Sequence, residues 1–297
     1  MTAVSTPPAP APATTPLLQS RARRVTTSRL MTTLLGTVVV VAIGVLVWVL
    51  GYVAAQGLKF LGPEFLTNTP PGDPSQPGGG FVNGIIGSLI VVGIASAISV
   101  PVGLGAAVYI VEYGGRLGRA AGFLTDVLVG VPTIVTGAFV YAIWVTRFGF
   151  SGLAGGIALA LVMLPLVVRS AAEMIRLVPD TLREASLALG VSRGRTVLKV
   201  VLPTATSGLI TGIMLAIARA LGETAPLLLT ALGNDLFIEA NPTRRMSTLS
   251  LQIFGSAIAG YKAAQARAWA GALTLIGLVL VFVIIARLVA RRGGVRG

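Results

Sequence analysis

Apolar positions along this chain fall into long, nearly unbroken runs, not into the alternation of a half-buried strand or the narrow stripe of an amphipathic surface helix. Stretches with little or no charge cover residues 30–58, 81–111, 120–145, 149–168, 203–232 and 268–286. About 20 apolar residues carry a helix across the hydrocarbon core of a bilayer, so the pattern predicts an all-α integral membrane protein with six spans. Residues 62–80, with Pro70-Pro71-Gly72 and Gly78-Gly79-Gly80, read as a polar outer loop, within an extracytoplasmic segment 59–80. Pro101, Pro132, Pro165 and Pro226 lie in or near the ends of the apolar runs, where kinks are expected. Residues 1–29 are rich in Pro, Ala and Thr, carry no charge before Arg21 and show no periodicity, which predicts a disordered tail. A basic cluster before an apolar run also marks cleavable signal peptides, but this run is too long and five more follow.

Composition agrees with a lipid solvent. Hydrophobic residues make up 54% of the 297, charged residues 11%, and the mean hydropathy is +0.87. The formal charge of +13 would suit nucleic acid, but the cations sit between apolar runs and not along one polar face, so no nucleic-acid partner is expected. Cytoplasmic segments retain Lys and Arg. With the amino terminus inside, the inner set is Arg21, Arg23, Arg24, Arg29, Arg116, Arg119, Arg169, Arg176, Arg183, Arg193, Arg195, Lys199, Arg287, Arg291, Arg292 and Arg296. Only Lys59, Arg147, Arg244, Arg245, Lys262 and Arg267 fall outside, and Arg219 lies in the fifth span, so both termini are expected in the cytoplasm of a multi-pass plasma-membrane protein. His and Cys are absent, which excludes imidazole bases, thiolate nucleophiles and Cys/His metal sites. No P-loop is present, since Lys59, Lys199 and Lys262 follow Leu58, Leu198 and Tyr261 and none follows a glycine.

The inner segment between spans four and five is the most ordered of the connections. Asp180 is placed to cap a short helix that Gly190 ends, and Ser192 to cap the next one. A basic, ordered projection of this kind fits docking to a cytoplasmic partner and equally fits an amphipathic connector lying on anionic lipid.

Glu184-Ala185-Ser186, three residues, Gly190, nine residues, then Val200-Val201-Leu202-Pro203 resembles the EAA loop of bacterial ABC importer permeases. The chain departs from that family's consensus by Ser186 for Ala and Val200 for Ile. The resemblance implies a six-span bundle of the type I ABC importer permease (MetI-like) class, over residues 81–292, with a coupling loop at about 180–203. It implies that Glu184, Ala185, Ser186 and Gly190 transmit motion from a separate ATPase subunit, so that ATP is used by the partner and no cofactor is bound by this chain. Further stretches resemble the PstA family of phosphate importers: Phe81-Val82-Asn83-Gly84, Tyr109-Ile110-Val111-Glu112-Tyr113, Met163-Leu164-Pro165 and Ala218-Arg219-Ala220-Leu221-Gly222-Glu223-Thr224-Ala225-Pro226. This implies phosphate as cargo, a sister permease of PstC type, ATP-binding cassette subunits and an extracytoplasmic phosphate-binding protein.

Arg219 and Glu223 stand four apart in the fifth apolar run, on one helical face, where charge is costly and usually meets a partner or a water-filled path. An arginine there suits an oxyanion; a fixed ion pair that fastens helices stays open. Arg169 and Glu173 form a similar pair near the inner end of span four, and the resemblance associates both, with Arg219, with phosphate translocation. A snorkelling helix end remains the alternative. Asp126 has no evident partner. A permease for another oxyanion or a phosphonate is compatible with these features. A secondary, ion-coupled transporter with Glu223 or Asp126 as relay is the other class, opposed by the EAA loop. An intramembrane hydrolase is opposed by the missing catalytic groups.

Overall fold

The computed structural model describes residues 16–293, with side chains for residues 25–288 and 290. The chain divides into residues 1–52 and 53–297. The first part contains most of α1 (Pro16–Gly57), apolar on every side through Val38–Val49, as a helix solvated by lipid must be. Helix α1 begins at Pro16, so residues 16–29, expected as disordered tail, are helical; the rest of that tail lies outside the described residues.

The second part is built from α2 (Pro63–Thr67), α3 (Val82–Tyr113), α4 (Gly115–Gly130), α5 (Thr133–Phe148), α6 (Gly152–Arg176), α7 (Asp180–Ala188), α8 (Arg193–Leu221), α9 (Ala225–Leu228), α10 (Leu249–Ile258) and α11 (Lys262–Gly293). Five helices are long and apolar enough to cross a membrane, and six spans result if α4 and α5 together form one. That pair meets at 102°, so the single run expected over 120–145 is two helices, either a broken span or a re-entrant pair. The break has a local cause. Pro132 supplies no N–H and forces the residue before it out of the helical region, and Val131 is extended at φ −75°, ψ 125°.

Two other spans shift from their expected bounds. Helix α6 runs eight residues past 168, which brings Arg169, Glu173 and Arg176 inside it. Helix α8 stops at Leu221, and not at 232, because Gly222 ends it and Pro226 starts the short α9. The outer segment after residue 233 is also more ordered than a loop. It returns as α10, whose Thr248 Oγ1 accepts from the Leu251 N–H and whose Leu249, Ser250, Leu251 and Gln252 are buried.

Helix α6 is the centre of the bundle, buried against α3 on one side and α8 on another. Its first turns, Gly155-Gly156 with Ala158 and Ala160, leave room for close backbone approach. A Cβ placed on Gly156 would lie 2.6 Å from Ile94 Cγ2 of α3. At the outer end a polar network replaces apolar packing. Gln252 Nε2 donates to Asn83 Oδ1 at 2.8 Å and Asp235 Oδ1 at 3.1 Å, Ser247 Oγ donates to Asp235 Oδ1, and Asn83 Nδ2 donates to the Asn234 carbonyl. The network ties α3 to α10 and to the strand of chain before it.

Arg267, 5% exposed near the outer start of α11, donates to the carbonyls of Pro74 at 3.0 Å, Gln76 at 2.6 Å and Gly78 at 3.3 Å. It therefore pins the outer loop by backbone alone. In the same loop Asp73 Oδ1 accepts from the Ser75 hydroxyl and N–H, which holds its carboxyl below the ordinary carboxylate range.

Gly156→Val is expected to destabilise the solubilised protein by about 1–3 kcal/mol, read as a lowered thermal midpoint. Gly93→Ala, with open space around it, should leave the midpoint unchanged. Arg267→Ala removes the donors for three carbonyls, so limited proteolysis should cut within residues 62–80 at least about tenfold faster.

Candidate functional site

The EAA-like segment folds as the helix α7 followed by Gly190 at φ +77°, a left-handed position that favours glycine, so the chain can turn sharply back towards α8. Neither expected cap makes a side-chain hydrogen bond. Pro179 holds the N-cap position of α7, while Asp180 turns to Arg183, and Ser192 caps α8 by backbone only.

Arg183 is the anchor of α7. Its Nε and Nη2 donate to Glu112 Oε1, both at 3.0 Å, Nη2 also donates to the Ile175 carbonyl, and Nη1 donates to Asp180 Oδ1 and the Val178 carbonyl. All five N–H groups of the guanidinium are engaged. Arg183 is 15% exposed and Glu112 6%, so this pair is desolvated and both halves are needed. The bond joins α7 to the inner ends of α3 and α6 at once. On the same side of α7, one turn on, Ser186 Oγ lies 2.9 Å from Thr196 Oγ1, both buried. Ser186 thus faces inward, and the hydroxyl that departs from the alanine of the resembled motif has a structural partner.

Glu184 and Ala185 point the other way, into open surroundings, together with Leu187 and with Leu189, which is 83% exposed. Glu184 makes no ion pair among the described residues. An acid beside protruding leucines leaves an exposed apolar patch with a charge at its edge.

Of the second group of expected residues, Arg169, Glu173 and Arg219 line one cleft, and Glu223 is not in its lining. Leu166, Arg169, Ser170 and Glu173 of α6 and Gly212, Leu215, Ala216 and Arg219 of α8 line a space of about 380 Å³ that opens to the surface. Arg169 Nε is 3.7 Å from Glu173 Oε1, and Arg219 Nε is 3.6 Å from Glu223 Oε1. Glu223 lies just past the end of α8, and not within a continuous helix, yet Gly222 still leaves it within reach of Arg219. Both pairs are longer than hydrogen bonds, and neither arginine bonds a protein acceptor among the described residues. Each guanidinium therefore keeps donors for a passing anion. Arg219 is 60% exposed and Glu223 15%, so it is the arginine that faces the cleft.

Adjoining spaces extend the cleft at both ends. Arg219 also lines a small pocket with Val131, Thr133 and Thr136 at the α4–α5 break. Arg169 and Glu173 line another of about 260 Å³ with Asp126, Thr125 and Arg176. The position of Asp126 facing α6, the Glu112–Arg183 pair and the cleft-lining Arg176 were not foreseen from sequence. The spacing of Arg169, Glu173 and Arg176 at i, i+4 and i+7 carried the signal for the last.

Comparison with known proteins agrees with this geometry. Residues 99–294 match the family described as binding-protein-dependent transport system inner membrane component. The chain is 42% identical to the phosphate transport system permease protein PstA of Yersinia pestis, over 82% of this chain and 83% of that protein. It is likewise 42% identical to PstA 1 of Mycobacterium tuberculosis (strain H37Rv), over 86% and 85%. Among solved structures, the inward-facing MetNI methionine ABC transporter superposes with a TM-score of 0.55 at 18% identity, covering 71% of this chain and 93% of that one. A bacterial ABC transporter for alginate import superposes at 0.58 and 15%, covering 93% and 98%. The MetI-like fold is thus shared. The chain belongs to the binding-protein-dependent transport system inner membrane components and, within them, to the PstA permeases.

Proposed function

We propose that this chain is the transmembrane permease subunit of an ATP-driven importer that moves inorganic phosphate into the cell across the bacterial inner membrane. The observation that carries the reading is the convergence of Arg169 and Arg219, from two different helices, on one cleft with loosely held carboxylates. A phosphate in transit carries one or two negative charges, and a guanidinium fork matches its oxygens. When the anion arrives, Glu173 and Glu223 lose their partners; when it leaves, they regain them. That exchange keeps binding shallow, as passage requires.

Energy enters from outside the chain. A separate ABC ATPase docks on the outward face of α7, at Glu184, Ala185, Leu187 and Leu189, and its closure is passed on through Arg183 to α3 and α6. A sister permease of PstC type closes the open side of the cleft, and a phosphate-binding protein delivers the cargo at the opposite face. Both termini belong to the cytoplasm in this reading, because segments rich in Lys and Arg stay on that side.

In proteoliposomes with the ATPase, sister permease and binding protein, Arg219→Ala should lower phosphate uptake by about 10–100-fold in an assembled complex, the worth of one charge-assisted hydrogen bond pair. Arg219→Lys, which keeps the charge and loses the fork, should fall between. Unchanged uptake by Arg219→Ala would reject the cleft as the path. Glu184→Lys should abolish phosphate-stimulated ATP hydrolysis while the subunits still copurify; retained stimulation would place the coupling elsewhere.

A further inference from the structure

The space beside α4 is a second charged cavity, about 260 Å³, on the α7 side of the main cleft. It shares Arg169 and Glu173 with the main cleft and adds Thr125, Asp126 and Arg176. Arg176 lies seven residues beyond Arg169 on one face of α6, a rise of about 10 Å towards the inner end. Asp126 projects from α4 across the cavity. Neither Asp126 nor Arg176 has a hydrogen bond or ion-pair partner among the described residues, whereas Arg183, one helix away, has all five donors occupied. The contrast matters. Arg183 is part-buried and saturated by its own chain, whereas Arg176 is exposed at the cavity with its donors free among the described residues.

We propose that this cavity is an inner oxyanion station, separate from Arg219, in which Arg169 and Arg176 hold the anion before release and Asp126 limits how tightly it is held. The station rests on the phosphate reading above and adds a place where the cargo pauses on the cytoplasmic side. Two guanidinium groups and two carboxylates leave the empty cavity near neutrality. An anion that enters displaces Glu173 from Arg169 and is drawn by Arg176, while the Asp126 carboxylate repels it. Without Asp126 the two arginines would retain a divalent anion too firmly for release. The hydroxyl of Thr125 is turned to the Ala121 carbonyl at 2.8 Å, so the anion is held by charge and not by that group. Because the station opens towards the cytoplasm, phosphate on that side can refill it and oppose delivery of the next ion.

The test uses the full complex in proteoliposomes with the ATPase outward and phosphate-loaded binding protein in the lumen. ATP hydrolysis is followed while inorganic phosphate is added outside, against sulfate at equal ionic strength and against the isolated ATPase. Phosphate should inhibit the wild-type complex and not the isolated ATPase. Arg176→Gln should raise the half-inhibitory concentration about tenfold, and Asp126→Asn should lower it about threefold or more. Opposite shifts are not the result of a packing defect, which would lower the maximal rate or the assembly in both variants. Stimulation by the loaded binding protein with no outside inhibition, or with inhibition that neither variant moves, overturns the station alone. Absence of stimulation in the wild type overturns the phosphate reading and the station with it.

Discussion

Helix α6 packs closely against α3 through Gly156, Met163 and Val167, and that contact sets where the charged residues of α6 lie. In lipid there is no hydrophobic gain from bringing two apolar helices together, so close backbone approach and dense van der Waals packing must hold them. Gly156 against Ile94 gives that approach at one end, and further along α3 Met163 meets Ser99 and Val167 meets Gly103. With α6 held on this side, its face at Arg169, Glu173 and Arg176 borders open spaces that it shares with α8 and α4. The packing constraint and the polar path are two faces of one helix.

Arginine serves three purposes in this molecule, separated by what surrounds it. Arg183 spends all its donors on Glu112, Asp180 and two carbonyls, and joins α7 to two longer helices. Arg169 and Arg219 stand at 3.6–3.7 Å from their carboxylates in an open cleft and stay exchangeable. Arg267 is buried with carbonyls alone and acts as a clasp. The residue type is the same in each case; burial and the number of acceptors decide whether it holds, exchanges or pins.

Much of this was legible in the chain itself. Apolar runs of span length predicted an all-helical membrane bundle, and Asp180 and Gly190 marked the bounds of the short helix α7. The pairing of Arg169 with Glu173 and of Arg219 with Glu223 followed from i, i+4 geometry, although Glu223 turned out to lie past the helix end. What periodicity could not show was where a helix breaks within an apolar run. Pro132 gave a hint of a kink, but a turn of 102° depends on what α4 and α5 pack against. Ser186 looked like a surface residue of a docking motif, and only the location of Thr196 reveals it as an internal hydrogen-bond partner. Glu112 and Arg183 lie 71 positions apart, a separation that no local pattern can connect.

The clasp on the outer loop has a consequence for how that surface can change. Arg267 reads main-chain oxygens at Pro74, Gln76 and Gly78, and so makes no demand on the side chains there. Gly78, at φ +86°, is the exception because its backbone shape is hard for other residues to adopt. Gly79, at φ +71°, and Gly80, where an added Cβ would meet the Phe65 carbonyl, share that restriction, whereas Pro74 and Gln76 are held through their carbonyls and their side chains are free to vary while the curve of the loop stays put.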